Sequence, residues 1–210
     1  MLTGKYLQLF NRLATTIPSE RLIHDELRTL AFGTDASFYR LIPQLVVKVE
    51  TEDDVIRVLR ECRELQLPLT FRAAGTSLSG QAISDSVLVM LGQSWNKFKD
   101  LSNGEQIRLQ PGVIGAHANV YLSSYGKKIG PDPASINACM IGGIAANNSS
   151  GMCCGTAQNS YNTLASMKII FADGNVLDTG DEESRKRFVQ GTPHGRESRY
   201  NLIARTSELS

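Results

Sequence analysis

The sequence predicts an α+β fold of two α+β subdomains, the first with a parallel βαβ unit and the second a mostly antiparallel sheet with helices. Three observations carry this. Leu45-Val46-Val47-Lys48-Val49 is a β-branched run, followed by helical periodicity and then by Leu69-Thr70-Phe71. Ile107-Arg108-Leu109-Gln110 reads as a short strand ended by Pro111-Gly112. Asp173-Gly174 sits between two further apolar runs, and an Asp-Gly pair in that setting signals a hairpin.

Each element follows in order. Residues 1–40 read as a lead-in with helical tendency, in which Pro18 separates the apolar strings Tyr6-Leu7-Leu9-Phe10-Leu13 and Leu22-Ile23-Leu27-Leu30. After the first strand, Thr51 can cap a helix whose first turn holds Glu52, Asp53 and Asp54. A hydroxyl at the cap and an acid three residues later satisfy the free amides of a helix start. Val55, Val58, Leu59, Cys62 and Leu65 then recur at helical spacing, and Pro68 closes the element. A second strand at Leu69-Thr70-Phe71 and a third at residues 87–91 complete a parallel unit with a right-handed crossover. The subdomains join near residues 92–104. Helices are expected over 114–125, ended by Gly126, and over 141–147. Residues 167–171 and 175–177 flank the Ala172-Asp173-Gly174 turn, and the charged run 181–187 marks a solvated turn or helix.

Composition narrows the function. With 22 basic and 21 acidic residues the net charge is +1, which leaves no electrostatic footprint for nucleic acid. No stretch approaches the roughly 18 apolar residues of a membrane span, and residues 1–10 lack the pattern of a secretory signal. The four cysteines are Cys62, Cys139, Cys153 and Cys154. Their spacing suits neither zinc nor an iron–sulfur cluster, so no metal is expected and a cytoplasmic, reducing location follows. For Cys153-Cys154, two free thiols are a better reading than a strained vicinal disulfide.

Four motifs carry the chemistry. The first, Arg72-Ala73-Ala74-Gly75-Thr76-Ser77-Leu78-Ser79-Gly80-Gln81-Ala82, follows a strand directly, and eight of its eleven residues are Ala, Gly, Ser or Thr. Small side chains let backbone approach a ligand, and glycines let successive amides aim at one point. With three hydroxyls and a neighbouring arginine, this is what a diphosphate requires. Alone, the stretch equally suits a flexible surface loop. It is neither a G-x-G-x-x-G nor a P-loop pattern, so nothing anchors an NAD or ATP site. The others are Pro111-Gly112-Val113, then Gly130-Pro131-Asp132-Pro133-Ala134-Ser135, then Ile141-Gly142-Gly143-Ile144-Ala145-Ala146-Asn147-Asn148-Ser149-Ser150-Gly151. Each reads singly as a turn or a glycine-capped helix.

In this order and spacing, the four motifs resemble the FAD-binding domain of the vanillyl-alcohol oxidase and p-cresol methylhydroxylase superfamily (the PCMH-type fold). Within it the chain looks most like FAD-linked oxidases of D-2-hydroxy acids, such as D-lactate, glycolate and D-2-hydroxyglutarate dehydrogenases. The resemblance runs from about Leu41 to Leu177, and the lead-in Leu27 to Arg40 resembles the start of large bacterial members. It implies that Arg72, Ala73, Ala74, Gly75, Thr76, Ser77, Gly80 and Gln81 bind the pyrophosphate of FAD. Pro111, Gly112, Pro131, Asp132, Pro133, Ser135, Gly142, Gly143, Asn147, Asn148, Ser150 and Gly151 would line the ribityl and flavin-ring region. Ile169 and Ile170 would meet the adenine side.

Some members hold the flavin covalently through a histidine in the pyrophosphate loop. That loop has no histidine here, so non-covalent FAD is expected. The resemblance further implies oxidation of a small 2-hydroxy acid with hydride transfer to the flavin. It leaves the electron acceptor open, and allows peripheral membrane association of the complete enzyme. A sugar-alcohol or aldonolactone oxidase fragment, and a degenerate interaction domain, are the competing readings. Family catalytic residues come mostly from a cap domain and a C-terminal segment, so no catalytic residue is assigned. His24, His117 and His194, the three histidines, match no family motif. Residues 41–210 are expected to form the FAD-binding domain, truncated at its C-terminus. Residues 178–210 are too few for a separate cap, so the chain alone is expected to bind FAD weakly and turn over poorly.

Overall fold

The computed structural model describes residues 2–191. The elements run α1 (Gly4–Leu13), β1 (Leu22–Ile23), α2 (Glu26–Ala31), β2 (Leu45–Val49), α3 (Glu52–Leu65), β3 (Leu69–Arg72), β4 (Val87–Leu91), β5 (Phe98–Asp100), β6 (Ile107–Leu109), α4 (Gly115–Leu122), α5 (Ile141–Ala146), α6 (Ser160–Thr163), β7 (Lys168–Ile170), β8 (Val176–Asp178) and α7 (Glu182–Gly191). Thr192, Pro193, His194 and the rest of the expected C-terminal tail lie outside the described residues.

The first subdomain is a four-stranded sheet in the order β1-β2-β4-β3. β4 pairs in parallel with both β2 and β3, which is the expected βαβ unit with the later strand inserted between the earlier two. The period of two along β2 sorts its side chains. Leu45, Val47 and Val49 join Val87 and Val89 in the main core, whereas Val46 joins Leu88 and Ile23 on the opposite face. A parallel sheet covered on both faces calls for such continuous apolar strands. α3 covers the first face with Val55, Val58, Leu59, Cys62 and Leu65. Its start is a capping box: Asp54 N donates to Thr51 Oγ1 at 3.1 Å, and Thr51 N donates back to Asp54 Oδ2 at 3.3 Å.

The lead-in belongs to this core. Leu9 and Leu13 of α1, with Ile17 and Leu22, are fully or nearly fully buried in it. Helical tendency holds for α1 and α2 but not for Leu22-Ile23, which pair antiparallel with Val47 and Val46. The apolar string containing Leu22 and Ile23 therefore divides. Its first two residues complete the sheet, and Leu27 and Leu30 stay exposed on α2.

The second subdomain is antiparallel as its sequence predicts, but as two separate ribbons, β5-β6 and β7-β8, rather than one sheet, and β5 lies inside the 92–104 stretch expected to join the subdomains. The Asp-Gly turn closes the second ribbon, with Gly174 at φ +82° and its amide donating to Phe171 O at 2.8 Å. That ribbon packs back on the first subdomain: Ile170 joins the main core, and Lys168 pairs with Glu52 at 2.6 Å. The charged run 181–187 forms most of α7.

Candidate cofactor-binding site

Three of the four sequence motifs meet at the carboxyl edge of the parallel strands, where open α/β sheets bind their ligands, and the Gly130–Ser135 motif joins them through Gly151. The sequence builds this edge stepwise. Trp95, 8% exposed, donates its indole N–H to Val49 O at the end of β2, 2.8 Å away. Trp95 O accepts from Gly112 N at 2.8 Å, and a Cβ at Gly112 would lie only 2.6 Å from that oxygen. The segment from Pro111 is then laced to the start of α5. Gly142 N donates to Pro111 O at 2.8 Å, Ile141 N to Val113 O at 2.9 Å, and Gly115 N to Cys139 O at 3.0 Å. Gly142 lies so close to Pro111 that a Cβ would come within 2.8 Å of the proline ring. One position on, Gly143 is exposed, and a Cβ there would face Ala73 Cβ at 3.8 Å. Ala73 follows β3 directly, so β2, Trp95, Pro111-Gly112, α5 and the 72–82 loop form one continuous rim.

The loop itself is shaped by two left-handed glycines. Gly75 has φ +71° and Gly80 φ +70°, a region where other residues are strained. Between them the Ser77 hydroxyl acts as a local hub. It donates to Gln81 Oε1 at 3.1 Å and accepts the amides of Ser79 at 3.2 Å and Gln81 at 3.4 Å. Arg72 turns under the loop: its Nη1 donates to Phe32 O at 3.2 Å, and its guanidinium sits where a Gly75 Cβ would fall, 2.5 Å from Nε. That Nε is buried without a partner. Burial lowers the guanidinium pKa and the Asp35 charge opposes the shift. Arginine remains protonated regardless, so the underside of the loop carries a fixed positive charge.

At the far end, α5 closes in a Schellman motif. Asn148 is left-handed at φ +45°, its amide donates to Ala145 O at 3.2 Å, and Ser149 N donates to Ile144 O at 2.9 Å. This pairing satisfies the last carbonyls of a helix. Asn148 Oδ1 also accepts from Tyr161 N at 2.9 Å, and buried Ser160 donates Oγ–H to Ser149 O at 2.9 Å, so α6 braces the turn. Gly151 lies directly against the Asp132 carbonyl and leaves no room for a Cβ. This joins the fourth motif to the third. Pro131 is buried, Asp132 pairs with Lys128 at 3.5 Å, and the carbonyls of Pro133 and Ser135 accept the amides of Ile136 at 2.9 Å and of Ala138 and Cys139 at 2.8 Å.

Asn147, Ser150 and Gln81 are exposed, whereas Ala74, Thr76 and Pro133 are half-buried. Ile169 and Ile170 are half-buried in β7, and Ile170 turns into the main core rather than toward the rim. His24 packs edge-on against Phe10 at 4.9 Å and His117 is exposed on α4. Sequence reasoning missed Trp95 and Glu50. The Glu50 carboxylate accepts Gln93 N at 3.1 Å and Ser94 N at 2.7 Å, which fixes the chain leaving β4. The signal was present in Trp95, a single tryptophan just beyond an apolar strand. All four cysteines are free. Among the described residues, no cluster could hold a metal ion, and no helix is long and apolar enough to cross a membrane.

A rim of glycines and short turns on the carboxyl edge of a parallel sheet defines a nucleotide-cofactor-binding class of domain. Residues 43–180 match the FAD binding domain family, and the chain belongs to it. The chain is 30% identical over 171 residues to the glycolate oxidase subunit GlcD of Escherichia coli K12, a match that covers 79% of this chain and 34% of the relative. It is 27% identical over 203 residues to the D-2-hydroxyglutarate dehydrogenase of Haemophilus influenzae, covering 86% of this chain and 20% of the relative. The chain thus spans about a third or less of the curated relatives it matches. The fold matches p-cresol methylhydroxylase with a TM-score of 0.71 at 15% identity, over 93% of this chain and 38% of that one. It matches alkyldihydroxyacetonephosphate synthase equally, with a TM-score of 0.71 at 18% identity over 87% and 38%. The PCMH-type fold expected from the motifs is therefore the fold found.

Proposed function

We propose that this chain supplies the FAD-binding part of an oxidoreductase acting on a D-2-hydroxy acid, with the FAD held non-covalently. The observation that carries the cofactor placement is Gly143 facing Ala73, which brings the glycine-rich start of α5 to the small-residue loop after β3. The residues fit the group. Gly75 and Gly80 open the loop backbone, Arg72 places a positive charge beneath it, and the faces of Ala73 and Gly143 present nothing larger than a methyl. A diphosphate needs amides and positive charge at close quarters. The Pro111-Gly112 turn and the Asp132–Gly151 contact extend this rim along the path the rest of the cofactor would take. The 72–82 loop offers no histidine for a covalent link.

When bound, the flavin supplies a two-electron acceptor. The chain's own part is to fix its position and exclude water along the rim. The substrate class rests on the relatives' names, a glycolate oxidase subunit and D-2-hydroxyglutarate dehydrogenases. The test is direct. The purified protein should show flavin absorbance, and acid precipitation should leave the flavin in the supernatant. In the full product of its reading frame, anaerobic D-lactate, D-2-hydroxyglutarate or glycolate should bleach that absorbance. Bleaching by sugar alcohols or aldonolactones but by none of these acids would sink the substrate reading.

A further inference from the structure

The loop after β3 is fastened by chain that precedes the matched family domain, which begins at residue 43. Residues 33–41 make a narrow turn, closed by an antiparallel bridge between Thr34 and Arg40 and by Leu41 N donating to Gly33 O at 3.1 Å. The tip of that turn grips both limbs of the loop. On the outgoing limb, Ala36 N donates to Gly75 O at 3.0 Å. On the returning limb, Asp35 Oδ2 accepts Ala82 N at 3.3 Å, while its other oxygen accepts Ser37 N at 2.8 Å. Between them, the Tyr39 ring lies against Gly80, 2.8 Å from where a Cβ would stand. Burial alone would raise the Asp35 pKa, but hydrogen bonds from Ser37 and Ala82 and the Arg72 charge outweigh it and hold the carboxyl below its usual value.

We propose that Asp35 is a positioning residue for cofactor binding. Its carboxylate ties the returning limb to the turn that holds the outgoing one, so the loop amides are aimed before the diphosphate arrives. The proposal rests on reading the 72–82 loop as the diphosphate site. Its physical basis is that ordering a free backbone costs about 1–2 kcal/mol per residue, and a loop ordered beforehand escapes that cost on binding. The residue type follows from the geometry. Two different oxygens accept from two amides. Asparagine has one acceptor oxygen, so its NH2 group would be turned toward an N–H.

The experiment compares the parent with Asp35→Asn, Asp35→Glu and Gly75→Val, each as the full 210-residue chain. FAD affinity is read by flavin fluorescence quenching, and hydrogen exchange of the 75–82 amides is read without FAD. Asp35→Asn should weaken FAD by about tenfold, the scale of one charge-assisted hydrogen bond, and should speed loop exchange while the remaining amides keep parental rates. Asp35→Glu, which keeps two acceptors, should recover most of the affinity; if Asp35→Asn does not fold, Asp35→Ser, which keeps a single acceptor oxygen, takes its place with the same expected weakening of FAD and the same faster loop exchange. Weakening by Gly75→Val, with parental affinity or parental loop exchange in Asp35→Asn, would overturn the positioning role alone. Parental affinity in Gly75→Val would overturn the loop reading itself.

Discussion

Gly143 and Ala73 face one another across the junction of the two subdomains, with 3.8 Å between the Ala73 Cβ and the place a Gly143 Cβ would occupy. Gly142, its neighbour, instead packs on Pro111 at 2.8 Å. The two glycines should therefore separate binding from stability. Gly143→Leu keeps its backbone and fills the space before Ala73. It should weaken FAD by tenfold or more, and replacing glycine within a helix should not lower stability. Gly142→Leu overpacks a filled contact and should lower stability by about 1–3 kcal/mol. Urea unfolding and flavin titration of both variants check this. Equal FAD affinity in Gly143→Leu would remove the cofactor from this rim.

Gly75 combines two constraints: its φ of +71° disfavours any side chain, and a Cβ would strike the Arg72 guanidinium. Gly75→Val should cost the chain most of its FAD affinity. Gly75→Ala should do the same to a smaller degree, because both the left-handed backbone and the arginine beneath it resist a methyl. A spectrum of the purified variants decides it: a Gly75→Val protein as yellow as the parent refutes the loop assignment.

What the sequence made legible follows from which forces are local. The Thr51–Asp54 capping box, the α3 stripe and the Asp173-Gly174 turn depend on residues within a few positions of each other. Their periodicity or turn chemistry therefore sufficed. β1 was misread because the two residues Leu22-Ile23 have no period; only pairing with distant Val46 and Val47 makes them a strand. β5 escaped for the same reason: Phe98-Lys99-Asp100 is specified by its partner 107–109. At the site, the glycine motifs were visible because close approach demands absent side chains. The contacts that seat them link positions tens of residues apart: Asp35 with Ala82 and Tyr39 with Gly80 left no local mark, and the lone Trp95 marked a position without naming its partner Val49.

The cysteines offer a test of packing around the fourth motif. Cys153 is exposed. Cys154 is buried, and its thiol donates to Gly155 O at 3.4 Å. Cys139 is buried, and Cys62 lies in the main core with its pKa pushed up to about 12, chiefly by burial and further by Glu61. The thiolate is the reactive form. A native chain at pH 8 should therefore react with a thiol reagent rapidly at one cysteine, Cys153, and at all four once denatured. Peptide mapping of the labelled site checks the assignment. Rapid native labelling of Cys62 would contradict the core described for α3.

Acid should expose the part played by Asp54, whose Oδ2 accepts the amides of Glu50 at 2.9 Å and Thr51 at 3.3 Å and a guanidinium N–H from Arg21 at 2.7 Å. Burial pulls its pKa up, but these hydrogen bonds and the Arg21 charge prevail and hold it below the ordinary carboxylate value. A folded-state pKa lower than the unfolded one means that the unfolded chain binds the proton more readily. The stabilisation is therefore complete above the unfolded value of about 4 and is lost as pH falls through the folded one. Asp54→Asn keeps the shape and removes the charge. It should cost about 1–2 kcal/mol at pH 7, the scale of a lost helix cap. That deficit should shrink as the pH falls below about 4, because the unfolded parent then takes up the proton that the folded carboxylate resists. Urea unfolding of parent and variant at pH 7, 5, 4 and 3 measures the difference. A deficit that stays constant to pH 3 would show that the carboxylate charge contributes nothing, and that the amide contacts of the α3 start act through shape alone.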